Sequence, residues 1–319
     1  MHMTFDDLKT KLKNLSEGVW ENRARWTEIE DWLTNFLDDL AQDPSERMHA
    51  LYLLSNFMYF GSREMRELLK SLFRDLYQYP IVAEIRQRTA DSTDTQAIRD
   101  AFQGELRRTR FLGVGNPSES GTHLLYYFRQ ENNLPKTLFI NEYEVFDRYG
   151  GPDPVSLRFQ DITRYVFIDD LCGSGKQAKS YSRDLVHDIK RLSPGASAAY
   201  YVLFATTHGL EEAKANTEFD QVDCVFELDG SFKCFGDDSR YFPDPDGHFA
   251  KEFARAMCDK YGGVLFPGHP LGYKDGQLLI GFHHNTPDNT LPIVWCDEPD
   301  RVPWTPIFRR YPKVYGWGF

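Results

Sequence analysis

Residues 165–177 read Tyr-Val-Phe-Ile-Asp-Asp-Leu-Cys-Gly-Ser-Gly-Lys-Gln, an apolar run that meets two adjacent carboxylates and then a tight glycine turn carrying a lysine. The run 165–168 has the continuous apolarity of a strand buried on both faces of a parallel sheet. A helix following the turn would aim its unpaired N–H groups at it. Gly173 and Gly175 allow positive φ and close approach of the backbone to an anion, while Ser174 and Lys176 add a hydroxyl and a positive charge. Asp169 and Asp170 cannot serve that anion. Carboxylates accept hydrogen bonds, so here they suit the vicinal hydroxyls of a ribose, or a hydrated divalent ion. The layout is that of a sugar-phosphate site. A nucleotide P-loop would need glycine at 170 and a hydroxyl residue at 177, where this chain has Asp170 and Gln177. The plain alternative is a strand-turn-helix with solvated acids. Against it stands the tendency of open parallel sheets to bind ligands at strand ends.

Working outward, short apolar runs at 111–114, 137–140, 165–168, 199–205 and 224–228 alternate with helical stretches, which predicts βαβ units and a parallel sheet. The first run flows into Gly115-Asn116-Pro117-Ser118-Glu119-Ser120-Gly121 and a helix over 122–130. Ser118, Ser120 and the backbone at Gly121 stand where a helix N-terminus presents N–H groups, a second candidate anion turn; ordinary capping explains most such loops. Glu119 would repel a pyrophosphate unless a metal ion intervened or its side chain turned away.

Before this middle, apolar residues from 20 to about 76 fall at helical spacing, among them Trp26, Ile29, Leu33, Phe36 and then Met65, Leu68, Leu69, Leu72. Asp43-Pro44-Ser45-Glu46 and Gly61-Ser62 supply starts, and Tyr79-Pro80 is expected to break the pattern. Helical stretches resume near 80–88 and 95–109. Trp20, Trp32, Phe57, Tyr59 and Phe60 suit a core or a partner surface better than a ligand cage. Towards the end, an apolar strand at 277–280 leads into Gly-Phe-His-His-Asn-Thr-Pro-Asp-Asn-Thr-Leu-Pro at 281–292. His283 and His284 could handle a proton, and Asn285 and Asn289 could read the edge of a planar base; the competing reading is a polar turn between strands. A zinc site fits poorly, since neighbouring histidines on a strand point apart.

The chain has 319 residues, 41% hydrophobic and 15% aromatic, enough for a packed core, with a net charge of −11 that disfavours extended nucleic-acid binding. Its five cysteines, Cys172, Cys224, Cys234, Cys258 and Cys296, form no Cys-x-x-Cys pair and read as reduced thiols in a cytoplasm. No apolar run approaches the ~18 residues of a membrane span, so no membrane partner is expected. Three regions are expected: an all-α front over 1–108, the sheet-bearing core over 109–235, and an α+β extension over 236–319.

The segment at 165–177 resembles the signature of type I phosphoribosyltransferases. That resemblance implies an α/β fold with a parallel-sheet core. It implies that Asp169 and Asp170 hold the ribose hydroxyls and that Gly173, Ser174, Gly175, Lys176 and Gln177 wrap the 5′-phosphate. The loop with Asn116, Ser118, Ser120 and Gly121 then takes the pyrophosphate, aided by magnesium. Purine-salvage members have an aspartate where this chain has Gly173, which argues against ordinary purine salvage. The likeness over most of the chain is to phosphoribosyltransferase-like proteins of bacterial conflict systems, some of which accompany retrons. It implies a phosphoribosyl or nucleotide ligand, a role in anti-phage defence, and a partner such as a retron reverse transcriptase or another defence-system protein; separately, the aromatic-rich front suits self-association into a homo-oligomer. An enzyme acting at ribose C1 and a nucleotide sensor without chemistry both remain open.

Overall fold

A computed structural model describes residues 3–37, 45–115, 120–147, 156–243, 247–297 and 302–311. In chain order it contains α1 (Phe5–Gly18), α2 (Trp26–Leu33), α3 (Glu46–Leu54), β1 (Met58–Phe60), α4 (Ser62–Ser71), α5 (Tyr79–Arg88), α6 (Thr95–Arg107), β2 (Thr109–Gly113) and α7 (Ser120–Glu131). There follow β3 (Phe146–Asp147), β4 (Ser156–Leu157), β5 (Arg164–Cys172), α8 (Lys176–Tyr181), α9 (His187–Leu192), β6 (Ser197–Thr206), α10 (Thr207–Ala215) and β7 (Gln221–Leu228). The chain closes with α11 (Lys251–Leu265), β8 (Ile280–Phe282) and α12 (Pro292–Trp295). Among the described residues no helix is long and apolar enough to cross a membrane.

The chain folds into two compact units, one of residues 1–65 with 229–319 and one of residues 66–228. These boundaries differ from the three-way division drawn at 108/109 and 235/236. Strand pairing and side-chain packing decide the matter, and neither respects sequence order. In the first unit β1 pairs in parallel with β8, joining Met58 to Ile280 and Phe60 to Phe282. In the second, Tyr77 hydrogen-bonds Thr109 at 2.7 Å and its ring packs on Phe111, which ties the helices after residue 66 to the sheet.

The second unit carries a four-stranded parallel sheet in the order β2-β5-β6-β7. Its α/β class is the one expected. On one face Phe73, Tyr77, Phe102 and Phe128 cluster edge-on and stacked around Phe111. On the other, Tyr165, Phe167, Tyr200 and Val202 pack with Ala178 of α8, Ile189 of α9 and Leu210 and Ala213 of α10. Strands covered on both faces account for the unbroken apolar runs. The expected strand at 137–140 is instead a 3-10 turn, Lys136–Leu138, and a single parallel bridge from Phe139 to Phe111. Pro135 ahead of it offers no N–H to a ladder.

Tyr79-Pro80 does not end the helix as expected. Residues Leu72–Gln78 widen into a π-helix, and the Tyr79 N–H reaches back to the Arg74 carbonyl. Pro80 then falls in the first turn of α5, where a missing N–H is tolerated. In the first unit Ser45 caps α3 by accepting from the Met48 N–H. Trp20, Trp32 and Phe57 are buried, and the Trp32 and Trp304 indoles both donate to the Ile293 carbonyl, at 2.8 and 3.1 Å.

Candidate functional site

The sheet of the second unit has a switch point. From β2 the chain passes through α7 to Phe139 on one side of β2, and then returns to lay β5 on the other side. Connections that leave two neighbouring strands in opposite directions open a crevice at their carboxyl ends. Pairing of β2 with β5 ends at Gly113 and Ile168, with one further bond from the Val114 N–H to the Ile168 carbonyl. β5 runs on to Cys172, paired there, among the described residues, with β6. Asp169 and Asp170 therefore lie inside the strand, beside the crevice, with the glycine turn just beyond.

The two neighbouring acids differ in burial and in partners. The sequence reading treated them alike; the structure separates them. Asp169 is 2% exposed, and its Oδ2 accepts from the Tyr200 hydroxyl at 3.1 Å while Oδ1 accepts from the Asp170 N–H at 2.9 Å. Burial pushes its carboxyl well above the usual carboxylate range, with the Asp170 charge adding to the rise. Asp170 is half-buried, and its Oδ1 accepts from the Leu171 N–H at 2.8 Å. Cys172 is buried, donates to the Gly209 carbonyl at 3.4 Å, and has its thiol pushed up to about 11, chiefly by burial. It is no nucleophile in this setting.

The turn is held from the β6–α10 junction. Thr206 Oγ1 donates to the Gly173 carbonyl at 2.6 Å and accepts from the Gly209 N–H at 2.9 Å, so one hydroxyl serves both as cap of α10 and as anchor of the turn. A Cβ on Gly209 would lie 2.3 Å from the Cys172 carbonyl oxygen and 2.8 Å from that of Gly173. Gly175, at φ 69°, starts α8 in the left-handed region that favours glycine. The first N–H groups of α8 thus face the turn with no side chain of the cap residue satisfying them, the arrangement that binds anions. Lys176 is exposed at its start, whereas Lys179 is engaged with Glu212, whose carboxyl it lowers. Ser174 and Gln177 are partly buried beside it.

The second candidate turn of the sequence begins after Gly115, whose φ of 103° again suits glycine. The Gly115 N–H donates to the Tyr181 hydroxyl at 2.8 Å. Asn116 and Ser118 lie outside the described residues, and Ser120 and Gly121 form the beginning of α7. Tyr181, Tyr200, Thr206 and Gly209 were not singled out from the sequence. Each lies in an ordinary helix or strand context; the pairing of β5 with β6 brings Tyr200, Thr206 and Gly209 to the turn, and the pairing of β2 with β5 brings Gly115 to Tyr181.

His283, His284, Asn285 and Asn289 belong to the first unit, and the acids and the glycine turn to the second, so neither unit by itself assembles both sets. The His283 N–H donates to the Phe60 carbonyl at 2.9 Å, and the His284 ring stacks on Phe282. Asn285 Oδ1 accepts from the N–H groups of Thr286 and Tyr311, each at 3.0 Å. Asn289 is 7% exposed and donates from Nδ2 to the Tyr273 carbonyl at 3.0 Å. Asn285 thus links its own turn to Tyr311, and Asn289 links it to Tyr273. Among the described residues no three His, Cys, Asp or Glu side chains gather as ligands for a metal ion. A cleft of about 470 Å³ bordered by Asp75, Tyr201, Lys214 and Asp223 opens at the start of β7, the opposite end of the parallel strands from the glycine turn.

The model of the PRTase-CE family matches residues 29–310 of the chain. No curated protein matches it in sequence. Among solved structures, it is similar to the xanthine-guanine-hypoxanthine phosphoribosyltransferase of Helicobacter pylori, at 10% identity and a TM-score of 0.27 over 54% of this chain and 89% of that one. It is also similar to the orotate phosphoribosyltransferase of Aeropyrum pernix, at 15% identity and a TM-score of 0.23 over 41% and 73% of the two chains.

Proposed function

The chain belongs to the PRTase-CE family, and from that premise we propose that it binds a phosphoribosyl ligand, phosphoribosyl pyrophosphate or a nucleotide, at the crevice between β2 and β5. The observation that carries this reading is the glycine turn 173–175, fixed by Thr206 at the start of α8, directly after the half-buried carboxylate of Asp170. The turn and Lys176 take the 5′-phosphate, and Asp170 takes the ribose hydroxyls. Asp169 supports Asp170 from behind through the Asp170 N–H. A diphosphate would lie against the chain leaving Gly115. Magnesium would arrive on that diphosphate, as this ion is commonly bound through substrate phosphates with one or two carboxylates.

On this reading the reaction is exchange or hydrolysis at ribose C1, with turn amides stabilising phosphate charge and Asp170 orienting the sugar beneath an oxocarbenium-like transition state. Gly173, where purine-salvage enzymes have a proton-handling aspartate, favours a second reading, a sensor that binds the same ligand without chemistry. Incubation with phosphoribosyl pyrophosphate, magnesium and a panel of bases and nucleotides, followed by mass, separates the two: a new product establishes the enzyme, and saturable binding with unchanged ligand establishes the sensor. No calorimetric binding of phosphoribosyl pyrophosphate, nucleotide or ribose 5-phosphate at millimolar concentration overturns both.

The proposal extends to setting: an anti-phage defence protein in the cytoplasm, working as effector or as nucleotide-responsive partner of a retron reverse transcriptase or of a second copy of itself. Its support is the whole-chain likeness noted from the sequence. Phage plaque counts on cells carrying the intact system or its Asp170→Asn variant test it, and equal counts would remove the link.

A further inference from the structure

We propose that the cleft at the start of β7 is a second ligand site, built for a small zwitterion of the α-amino-acid class with an apolar side chain. It lies within the second unit, at the other end of the parallel strands from the glycine turn, and does not rest on the phosphoribosyl reading. The cleft encloses about 470 Å³, a volume in the range of small-molecule pockets. Leu76, Pro80, Phe219 and Val222 give it an apolar wall, with Phe219 and Val222 each 8% exposed. Tyr201 of β6, 3% exposed, also lines it and pairs across the strands with Asp223.

The charged side chains of the lining fall into two kinds. Asp75 accepts from the Arg74 guanidinium at 2.7 and 2.9 Å, and Asp220 accepts from Lys190 at 2.6 Å and from the Ala198 N–H at 2.8 Å. Those two acids are neutralised where they stand. Asp223 has one oxygen on the Cys224 N–H at 2.9 Å and, like Lys214, no ion-pair partner among the described residues. A carboxylate and an ammonium thus border one cleft without pairing with each other. A molecule that carries both charges satisfies both at once, its ammonium on Asp223 and its carboxylate on Lys214. The Tyr201 hydroxyl donates to Gln221 Oε1, which leaves the two amide N–H bonds of Gln221 for another acceptor, and the bound carboxylate supplies one. Burial pushes the Tyr201 phenol up, so it stays a neutral donor. The apolar side chain of the ligand lies on Leu76, Pro80 and Val222, where burial of its surface adds the affinity that exposed ion pairs lack. The same groups select against other ligands: Asp223 and the neighbouring acids repel a phosphate, and Lys214 repels a polyamine.

The test is an NMR titration of the full chain with L-phenylalanine, with phenylpropionate, which lacks the ammonium, and with phenylethylamine, which lacks the carboxylate. L-Phenylalanine should saturate the amide signals of Gln221 and Asp223 and bind at least about fivefold tighter than either single-charge probe, the worth of one ordinary hydrogen-bonded contact. This comparison uses the unmodified protein, so it does not depend on how any variant folds. Asp223→Asn should weaken L-phenylalanine by about fivefold and leave phenylpropionate unchanged, while Lys214→Gln should weaken it as much and leave phenylethylamine unchanged. A merely structural role for either residue would not produce that crossed pattern. Equal affinity for the three probes, no saturation by L-phenylalanine up to about 10 mM, or variants that bind all three as the wild type does, overturns the site. Ribose 5-phosphate binding is indifferent to each of these results, so failure here leaves the phosphoribosyl reading standing.

Discussion

The hydroxyl of Tyr200 on β6 donates to Oδ2 of Asp169 on β5 at 3.1 Å, and both residues are almost wholly buried. Facing them are the Asp170 carboxylate, the Cys172 thiol and the backbone N–H of Asp170. This is a polar pair sealed beneath the proposed ribose site, and it makes Asp169 a support whose protonation state is set by its surroundings.

Its effect on stability has a definite sign. The folded-state value of Asp169 is raised, first by burial and second by the Asp170 charge, so the folded protein holds this proton more tightly than the unfolded chain. The contribution is fully present below the unfolded value of about 3.9 and is lost as pH rises from there through the raised folded value. Asp169→Asn removes the loss. Urea midpoints collected from pH 4 upward should fall in the wild type relative to this variant; parallel curves would contradict the assignment.

Tyr200→Phe leaves Asp169 with one partner fewer in a buried setting and should destabilise the fold by about 1–3 kcal/mol. The stacking of the ring on Phe219, 5.4 Å between centroids at 22°, is retained in the variant. Denaturant unfolding measures it, and a variant as stable as wild type would show that the hydrogen bond contributes nothing.

Thr206→Val removes the hydroxyl that joins Gly173 to Gly209. Loss of a cap alone is worth about 1 kcal/mol, and the larger expected consequence is a weakened grip on ribose 5-phosphate because the turn loses its anchor. Calorimetry should report about tenfold weaker binding, corresponding to 1.4 kcal/mol. Affinity equal to wild type would mean that the turn holds its shape without Thr206.

Gly209→Ala places a methyl 2.3 Å from the Cys172 carbonyl oxygen, a backbone atom that cannot step aside cheaply. The expected cost is about 1–3 kcal/mol, measured as a lowered thermal midpoint. Gly195→Ala, where an added Cβ meets nothing within 4 Å, is the matched control and should leave the midpoint nearly unchanged.

Asp170→Asn keeps an oxygen able to accept from the Leu171 N–H, so stability should stay within about 0.5 kcal/mol of wild type. Ribose 5-phosphate affinity should nonetheless fall about tenfold, because the charged acceptor for the sugar hydroxyls is gone. Unchanged affinity would move the sugar away from Asp170.

Much is legible in the sequence because it depends on local chemistry. The unbroken apolarity of residues 165–168 and 199–205 encodes strands covered on both faces, and the paired glycines at 173 and 175 encode a turn after β5. The same local reading failed at Tyr79-Pro80, where a π-helix absorbs the proline, and at residues 137–140, where apolar side chains enter a 3-10 turn. Period and propensity describe what a segment prefers; they do not include the wider turn or the neighbouring strand that changes the preference.

The sequence by itself determined the α/β class, the order acids-then-glycine-turn, and the position of a candidate phosphate site, because each follows from the residues of one short segment. Tertiary structure alone decided that Asp169 is buried against Tyr200 while Asp170 is not, that Thr206 and Gly209 hold the turn, that Tyr181 meets Gly115, and that residues 1–65 pack with 229–319. The physical reason is the same in each case. Burial and hydrogen-bond partners are properties of neighbours in space, and parallel strand pairing makes neighbours of residues that stand dozens of positions apart along the chain.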